Sequence, residues 1–247
     1  MQATYHTENI STNGYTIIPD VFHDEEIETL LRFIETATIT PTANFRKDID
    51  LFAIRNFIGE LPGIKPLLFT PRLNQLIDTL FGRDYFLVKA IYFNKPEHAN
   101  WLVPWHQDMT ITVDRKETID GFGPWTIKHG IHAVQPTTEI LEHIFTVRLH
   151  LDDCDETNGA LKIIPGTHLL GKMDAEKIRS CTESPVICNV KKGGIMIMKP
   201  LLLHASGKRT SDRNRRVIHL EFASQALPGG LQWQEYADRY IGAPELI

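Results

Sequence analysis

The second half of the sequence consists of short β-type segments, and this pattern limits the available folds more than any other feature. From Tyr85 onward, runs rich in β-branched and aromatic residues alternate with Gly, Pro, Asn and Asp. Few helical patterns interrupt them, which disfavours a parallel βαβ sheet. The runs are YFLVKAIYF (85–93), FTVRLHL (145–151), ALKIIP (160–165), IMIMKP (195–200) and RRVIHLEFA (215–223).

Two amphipathic helices are predicted ahead of these strands. Residues 24–36 begin with an acidic turn and place four apolar side chains on one face, namely Ile27, Leu30, Leu31 and Ile34. A second helix is predicted over 71–81, because Pro71 suits a first helical position and Gly82 suits the residue just past a helix end. Helices followed by many short strands predict a mainly β protein, a sandwich or jelly roll with helices on one side.

We interpret residues 1–247 as a single domain, with a helical N-terminal part at about 20–82 and a barrel at about 85–225. Asn158-Gly159 predicts a tight hairpin between two of the strands. The stretch 114–138 is long and irregular, which is typical of a lid or binding loop. The alternative is an ordered surface excursion with its own small core.

Composition excludes several function classes. With 26 Lys+Arg against 31 Asp+Glu the net charge is −5, and without basic runs nucleic acid is not expected as a partner. No stretch has the roughly 20 apolar residues that cross a bilayer, and the N-terminus lacks signal-peptide features. Three cysteines without a CxxC pair fit a reducing, cytoplasmic location. The oligomeric state cannot be read from the sequence.

Histidine followed two residues later by a carboxylate is the pattern that could bind a metal. It occurs four times, at His6/Glu8, His23/Glu25, His106/Asp108 and His219/Glu221. The first lies in a terminus expected to fray, and the second begins a helix, where residues two apart diverge. The fourth has no histidine after it, so it remains a weak rival. Only the third sits in a β-rich segment with a later candidate ligand, which is His204.

Two histidines and one carboxylate form the facial triad of non-haem iron(II) enzymes, which leaves positions free for a chelating cosubstrate and dioxygen. Zinc with the same ligands serves hydrolases, so a zinc-dependent hydrolase or isomerase is one alternative. A non-catalytic jelly-roll binding module is another. An anionic 2-oxo acid would need a cationic partner, and Arg215 begins a strand eleven residues after His204. The polar turn between them predicts that the two strands lie side by side, antiparallel.

Three segments together resemble the phytanoyl-CoA dioxygenase family of iron(II)- and 2-oxoglutarate-dependent oxygenases. They are PWHQD, LDDCDETNGALKIIPGTH and PLLLHASGKRTSDRNRR, and the resemblance covers roughly residues 15–225. It implies a double-stranded β-helix, also called a jelly roll or cupin-like fold. It further implies Fe(II), 2-oxoglutarate and O2, with ascorbate as a supporting reductant. The implied reaction hydroxylates an unactivated C–H bond of a small-molecule metabolite and releases succinate and CO2.

The resemblance also implies roles for single residues. His106, Asp108 and His204 would ligate iron, Arg215 would bind the distal carboxylate of 2-oxoglutarate with help from Ser206, and Lys89 would make a further polar contact with the cosubstrate. Because halogenating members lack the metal carboxylate, Asp108 favours hydroxylation. Arg148 departs from the family, in which many members have Trp on this strand. Candidate pocket or lid residues are Trp101, Trp105, Met109, Phe122, Trp125, His129 and His132, whereas His150, His168 and His219 are interpreted as hydrogen-bonded structural histidines.

Overall fold

The computed structural model describes residues 2–39, 53–95, 102–128 and 130–239. Within these residues the chain forms seven α-helices and thirteen β-strands, together with short 3-10 turns. The helices are α1 (Gln2–Asn13), α2 (Asp24–Ile39), α3 (Phe57–Glu60), α4 (Lys65–Leu68), α5 (Pro71–Phe81), α6 (Thr138–Glu142) and α7 (Ala175–Ser180). Helices long and apolar enough to cross a membrane are absent from the described part of the chain.

The strands are all paired antiparallel. Their bounds are β1 (Tyr15–Ile18), β2 (Ala53–Arg55), β3 (Phe86–Lys95), β4 (Val103–His106), β5 (Ile111–Val113), β6 (Trp125–Lys128), β7 (Ile131–Val134), β8 (Ile144–His150), β9 (Leu161–Ile163), β10 (Val186–Ile187), β11 (Ile195–Met198), β12 (His204–Ser206) and β13 (Arg215–Ala223).

Two sheets form the barrel. The major sheet has the order β1-β11-β8-β13-β3-β2, and the minor sheet has the order β10-β9-β12-β4. Their inner faces pack together through apolar side chains such as Met196 of β11 and Ile163 of β9. This is the mainly β, jelly-roll architecture that the sequence predicts. The N-terminal part is less purely helical than expected, since β1 and β2 extend the edges of the major sheet.

The two predicted helices are confirmed. α5 has the predicted bounds: Thr70 caps its start by accepting a hydrogen bond from the backbone N–H of Leu73 at 3.2 Å, and Gly82 follows its end with φ +93°. α2 continues to Ile39, past the predicted end at residue 36. The sequence did not predict α1, nor α6 and α7 in the barrel half, so helices are not confined to the N-terminal part.

The outer face of the major sheet packs against the helices and forms the main core. Along β8, successive side chains alternate between the two faces, so Phe145, Val147 and Leu149 point to the helices. The predicted apolar face of α2 covers them, with all four of its residues at most 6% exposed: Ile27, Leu30, Leu31 and Ile34. Each such fully buried side chain stabilises the fold by roughly 1.5–3 kcal/mol.

The predicted hairpin at Asn158-Gly159 is wrong. β8, before this turn, pairs with β11 and β13 in the major sheet, whereas β9, after it, pairs with β10 and β12 in the minor sheet. Residues Glu156–Asn158 form a 3-10 turn capped by Asp155, and Gly159 has φ +86°. An Asn-Gly pair supplies a sharp turn in either context, so the local signal could not tell a hairpin from a crossing between sheets.

The stretch 114–138 is more regular than predicted. β6 and β7 lie within it, and β7 also pairs with β5, so these strands form a third sheet of order β5-β7-β6. Phe122 and Trp125 pack against a separate apolar cluster that contains Val113, Val134 and Trp233. This arrangement fits the alternative of an ordered excursion with its own small core. Whether the segment moves as a lid stays a prediction.

Candidate metal centre and anion pocket

The three predicted metal ligands lie together at the end of the minor sheet. β4 and β12 are neighbours, and their register places His204 directly opposite His106. Asp108 follows the end of β4, and its backbone N–H donates to the carbonyl of Pro200 at 2.9 Å. The two-residue spacing brings both side chains to the same side, as predicted, although Asp108 lies just past the end of β4 and its backbone is held by Pro200.

The ligand atoms converge on one point. Nε2 of His106 lies 3.7 Å from Oδ1 of Asp108, and Nε2 of His204 lies 3.7 Å from Oδ2 of the same carboxylate. The two imidazole rings are 4.2 Å apart between centroids, and one donor atom from each residue falls within 4.8 Å of the others. Bonds of about 2.1 Å to a shared ion separate such atoms by roughly 3–4 Å. The spacing therefore fits a metal ion.

Backbone carbonyls hold both imidazoles in the ligating tautomer. Nδ1 of His106 contacts the Pro104 carbonyl at 2.9 Å, and Nδ1 of His204 contacts the Leu202 carbonyl at 2.9 Å. A carbonyl only accepts hydrogen bonds, so each Nδ1 carries a proton and each Nε2 keeps its lone pair. Metal-binding histidines use this support because it fixes ring orientation and tautomer together.

The pKa values of these groups favour the ligating protonation states. Burial lowers the pKa of His204 to about 4, against the opposing effect of Asp108. Burial alone would raise the pKa of Asp108, but the nearby His204, His219, His106 and Lys89 together outweigh it and lower the pKa to about 2. At neutral pH the site therefore presents a neutral imidazole and a carboxylate. Two imidazoles and one carboxylate suit Fe(II), and the same donor set also accommodates zinc.

Gln107, between two of the ligands, points away from them, as strand alternation predicts. Its amide nitrogen donates to the carbonyls of Gly171 at 2.9 Å and Leu201 at 2.7 Å, and its amide oxygen accepts from the Met173 N–H at 2.8 Å. These bonds satisfy a buried amide and tie the segment that carries the ligands to two other loops.

Arg215 and Ser206 lie in different sheets, contrary to the predicted side-by-side strands. β12, which carries Ser206, pairs with β4 and β9, whereas β13, which carries Arg215, pairs with β3 and β8. The polar turn after His204 therefore crosses between the sheets instead of closing a hairpin. Ser206 is 2% exposed and Arg215 is 8% exposed. Arg215 donates through Nη1 to the Gly159 carbonyl, and its Nε has no hydrogen-bond partner among the described residues.

Lys89 is held by Glu221. Its Nζ donates to both carboxylate oxygens, at 2.9 and 2.8 Å, and contacts the Thr110 carbonyl at 3.3 Å. Glu221 also accepts from His219 at 3.0 Å. The rival metal pair His219/Glu221 is thus an internal ion-pair network. Across the described residues, only His106, Asp108 and His204 form a group of three or more metal-ligating side chains.

The remaining candidates have varied surroundings. Trp101 and His129 lie outside the described residues. Trp105, Met109 and His132 are partly buried. Nε2 of His168 contacts the Ser11 carbonyl at 3.0 Å, as expected for a structural histidine. His150 departs from that interpretation, because neither ring nitrogen has a hydrogen-bond partner within the described chain.

Sequence reasoning missed the polar network on the inner face of the major sheet. Arg148 of β8 contacts Nδ1 of His219 through Nη1 at 3.0 Å, and His219 in turn contacts Glu221. The signal was present in the strand sequences. β8 carries Arg148 and His150 two residues apart, and β13 carries Arg215, His219 and Glu221 at even spacings. Polar residues on one face of two adjacent buried strands, interrupted on β13 only by Val217, indicate a largely polar interior face.

Comparisons with known proteins agree with this architecture. The chain is 21% identical over 168 residues to an ectoine dioxygenase of Bordetella bronchiseptica, an alignment that covers 65% of this chain and 48% of the relative. The chain thus spans about half the length of that relative. EctD from S. alaskensis in its apoform has a TM-score of 0.69 at 17% identity, covering 89% of this chain and 76% of EctD. AviO1 from Streptomyces viridochromogenes Tue57 has a TM-score of 0.65 at 20% identity, and the match covers 92% of this chain and 96% of AviO1.

At these identities the structural likeness establishes the fold alone. The family assignment comes from a sequence model, that of the phytanoyl-CoA dioxygenase (PhyH) family, which matches residues 10–217. This range includes both barrel sheets except residues 218–223 of β13, and all three converging ligands. The chain belongs to the phytanoyl-CoA dioxygenase (PhyH) family.

Proposed function

We propose that this chain is an Fe(II)- and 2-oxoglutarate-dependent dioxygenase that hydroxylates an unactivated C–H bond of a small-molecule metabolite, with release of succinate and CO2. One observation carries the proposal. Two imidazole nitrogens with free lone pairs and one ionised carboxylate oxygen lie within 4.8 Å of one another, in a chain of this family. Few arrangements of protein groups suit a ferrous ion as well.

In this proposal His106, Asp108 and His204 hold the iron. Arg215 binds the distal carboxylate of 2-oxoglutarate, with Ser206 as a second donor, and Lys89 stays a predicted cosubstrate contact. When bound, the metal supplies the oxidising chemistry together with 2-oxoglutarate and O2, and ascorbate would keep it ferrous. The chain's own share is to orient the ligands through the Pro104 and Leu202 carbonyls and to keep water out of the barrel.

The surroundings of Arg215 favour this function over a zinc-dependent hydrolase. A guanidinium that is 8% exposed and has no carboxylate partner among the described residues is costly to keep unless a ligand supplies the anion. A dicarboxylate cosubstrate does so, whereas hydrolysis by metal-bound water requires no anion at that position. The three free cysteines support a reducing compartment, the cytoplasm, as the place of action.

The proposal is tested by supplying the purified protein with Fe(II), ascorbate, 2-oxoglutarate and air and measuring succinate. We expect slow succinate formation even without the primary substrate. The variant His106→Ala should lower it at least 100-fold, because one of three ligands is lost. His143→Ala removes an exposed histidine far from the triad in sequence and serves as the matched control.

Two results would contradict the proposal. Succinate formation that is equal in the parent and in His106→Ala would exclude the assigned metal site. Hydrolytic activity that depends on zinc, without any consumption of 2-oxoglutarate, would support the hydrolase alternative. Once turnover is established, screening metabolite pools for faster 2-oxoglutarate consumption would identify the substrate.

A further inference from the structure

A second buried guanidinium, Arg148, lies on β8, the strand that pairs with the Arg215 strand β13, and it shares the inner face of the major sheet with Arg215. Arg148 sits on β8, where the register places it opposite His219 of β13 and Met196 of β11. Its side chain reaches into the barrel, and the residue is 7% exposed. Nη1 contacts Nδ1 of His219 at 3.0 Å, and Nε has no hydrogen-bond partner among the described residues.

The partner of Arg148 is electrically neutral. An arginine only donates hydrogen bonds, so Nδ1 of His219 accepts and the ring proton lies on Nε2, which donates to Glu221. The charge of Glu221 is already matched by Lys89, whose Nζ lies within 2.9 Å of both carboxylate oxygens. The network therefore gives Arg148 a fixed orientation without supplying the negative charge that a buried cation requires.

The neighbours of Arg148 make the local charge more positive. The charge of Arg215 acts on Arg148 more strongly than the charge of Asp108 does, and burial together with Arg215 lowers the pKa of Arg148 to about 10. At neutral pH both guanidiniums are thus protonated. Burial and these two arginines lower the pKa of His150 well below its usual value, so His150 is neutral. Burial raises the pKa of Cys154 and Cys188, so neither thiol is a counter-anion.

Three side chains on two adjacent strands, β8 and β13, have buried polar atoms without a hydrogen-bond partner among the described residues. They are Nε of Arg148, Nε of Arg215 and both ring nitrogens of His150. Their residues are 7%, 8% and 4% exposed. Two buried cations and a neutral imidazole that can donate one hydrogen bond are matched by an anion with several acceptor oxygens, such as a carboxylate.

We propose that Arg148 is a second cosubstrate-binding residue, which holds the distal carboxylate of 2-oxoglutarate together with Arg215. The proposal rests on the proposed function and names a residue in which this chain departs from many family members. Arg148 acts by direct contact, with His219 fixing the orientation of its guanidinium. The primary substrate is the less favoured partner, because Arg148 and Arg215 project from adjacent strands on the same face of the major sheet.

The test compares two 2-oxo acids that differ only at the distal end. The full chain, loaded with Mn(II) so that no turnover occurs, is titrated calorimetrically with 2-oxoglutarate and with 2-oxopentanoate, which lacks the distal carboxylate. In Arg148→Met we expect the Kd for 2-oxoglutarate to rise 10- to 100-fold, and the Kd for 2-oxopentanoate to change less than 3-fold. The Kd of Arg148→Lys for 2-oxoglutarate should lie between the values for the parent and for Arg148→Met, because lysine keeps the charge and lacks the planar fork.

Controls separate binding from folding. Arg179→Met removes an exposed arginine on α7 and should leave both affinities unchanged. The thermal midpoint of ligand-free Arg148→Met should stay within a few degrees of the parent, since the lost cation has no anionic partner in the protein. Combined Arg148→Met and Arg215→Met should lose less affinity than the sum of the single effects, because both contact one carboxylate.

Three outcomes overturn the proposal. Equal 2-oxoglutarate affinity in the parent and Arg148→Met would remove Arg148 from the pocket while leaving the proposed function intact. A parallel loss of affinity for both 2-oxo acids would show a general disturbance of the site instead of a contact with the distal carboxylate. If the parent itself binds neither acid, both this inference and the proposed function are wrong.

Discussion

The minor sheet carries metal ligands on or next to short strands, whereas the major sheet carries buried cations on long strands. β4 and β12 have four and three residues, and the side chains of His106 and Asp108 are 38% and 30% exposed, whereas that of His204 is 5% exposed. β8 and β13 have seven and nine residues, and the inward Arg148 and Arg215 are at most 8% exposed.

The comparison shows that the two halves of the site depend on different physics. The two imidazoles are oriented by bonds to carbonyls two residues away in the chain, so their orientation is local, whereas Asp108 is placed by a bond to the distant Pro200 carbonyl. The cations need a low dielectric to select an anion, and that requires a large sheet with a helical layer behind it. Disturbing one sheet should therefore leave the other half of the site measurable.

The largest expected effect is a loss of folding stability when a core side chain on the outer face of the major sheet is shortened. Leu149, on β8, is 1% exposed and packs in the main core, so Leu149→Ala should lower the free energy of unfolding by about 2–5 kcal/mol. Urea denaturation monitored by circular dichroism measures the change. Val186→Ala on β10 of the minor sheet, where Val186 is 39% exposed, is the control and should cost less than about 1 kcal/mol. Equal losses of unfolding free energy in Leu149→Ala and Val186→Ala would mean that β10 contributes as much to stability as β8.

The second effect separates anion binding from metal binding. Arg215→Met should raise the KM for 2-oxoglutarate about 10- to 100-fold, an effect of about 1.4–2.7 kcal/mol, because a charge-assisted pair to a carboxylate is lost. The affinity for Mn(II), measured by calorimetry without cosubstrate, should stay within about 3-fold of the parent. A matching loss of metal affinity would show that the two sheets do not act separately.

The smallest expected effect is a pH dependence of folding stability caused by the carboxyl group of Glu235, which lies next to β3 of the major sheet. Glu235 accepts a hydrogen bond from the Ala90 N–H of β3 at 2.8 Å, and burial raises its pKa from 4.5 to about 7. The folded state thus holds this proton more tightly than the unfolded state, so stability is highest below pH 4.5 for this group and falls as pH rises towards 7.

Because Glu235 is partly exposed, we expect its contribution to the free energy of unfolding to fall by only about 1–2 kcal/mol between pH 5 and pH 8. Glu235→Gln keeps the acceptor oxygen and should flatten this part of the stability profile, measured by urea denaturation at each pH. Glu8→Gln, at an exposed glutamate of α1, should leave the profile unchanged. A Glu235→Gln profile as steep as that of the parent would exclude Glu235 as the source.

Much of the fold was predictable where a local pattern had one structural solution. The apolar spacing of α2, the Pro71 start of α5 and the alternating residues of β13 each correspond to one element, and the predicted range 215–223 is that of β13 itself. The Asn158-Gly159 turn and the polar turn after His204 were predicted as hairpins and cross between sheets instead. Turn chemistry describes the bend, and only long-range pairing decides which strands meet.

The sequence by itself determined the kinds of chemistry available: two histidines, an aspartate and an arginine, in an order and with flanking motifs that resemble one enzyme family, placed on β-type segments after two amphipathic helices. Only the tertiary structure decided which of these groups share a cavity. It showed that Glu221 of the rival metal pair is bound by Lys89 and His219, and it placed Arg148 and Arg215 on adjacent strands of one sheet. The physical reason is that side-chain identity and strand alternation are local properties, whereas charge pairing and burial depend on contacts between residues far apart in the chain.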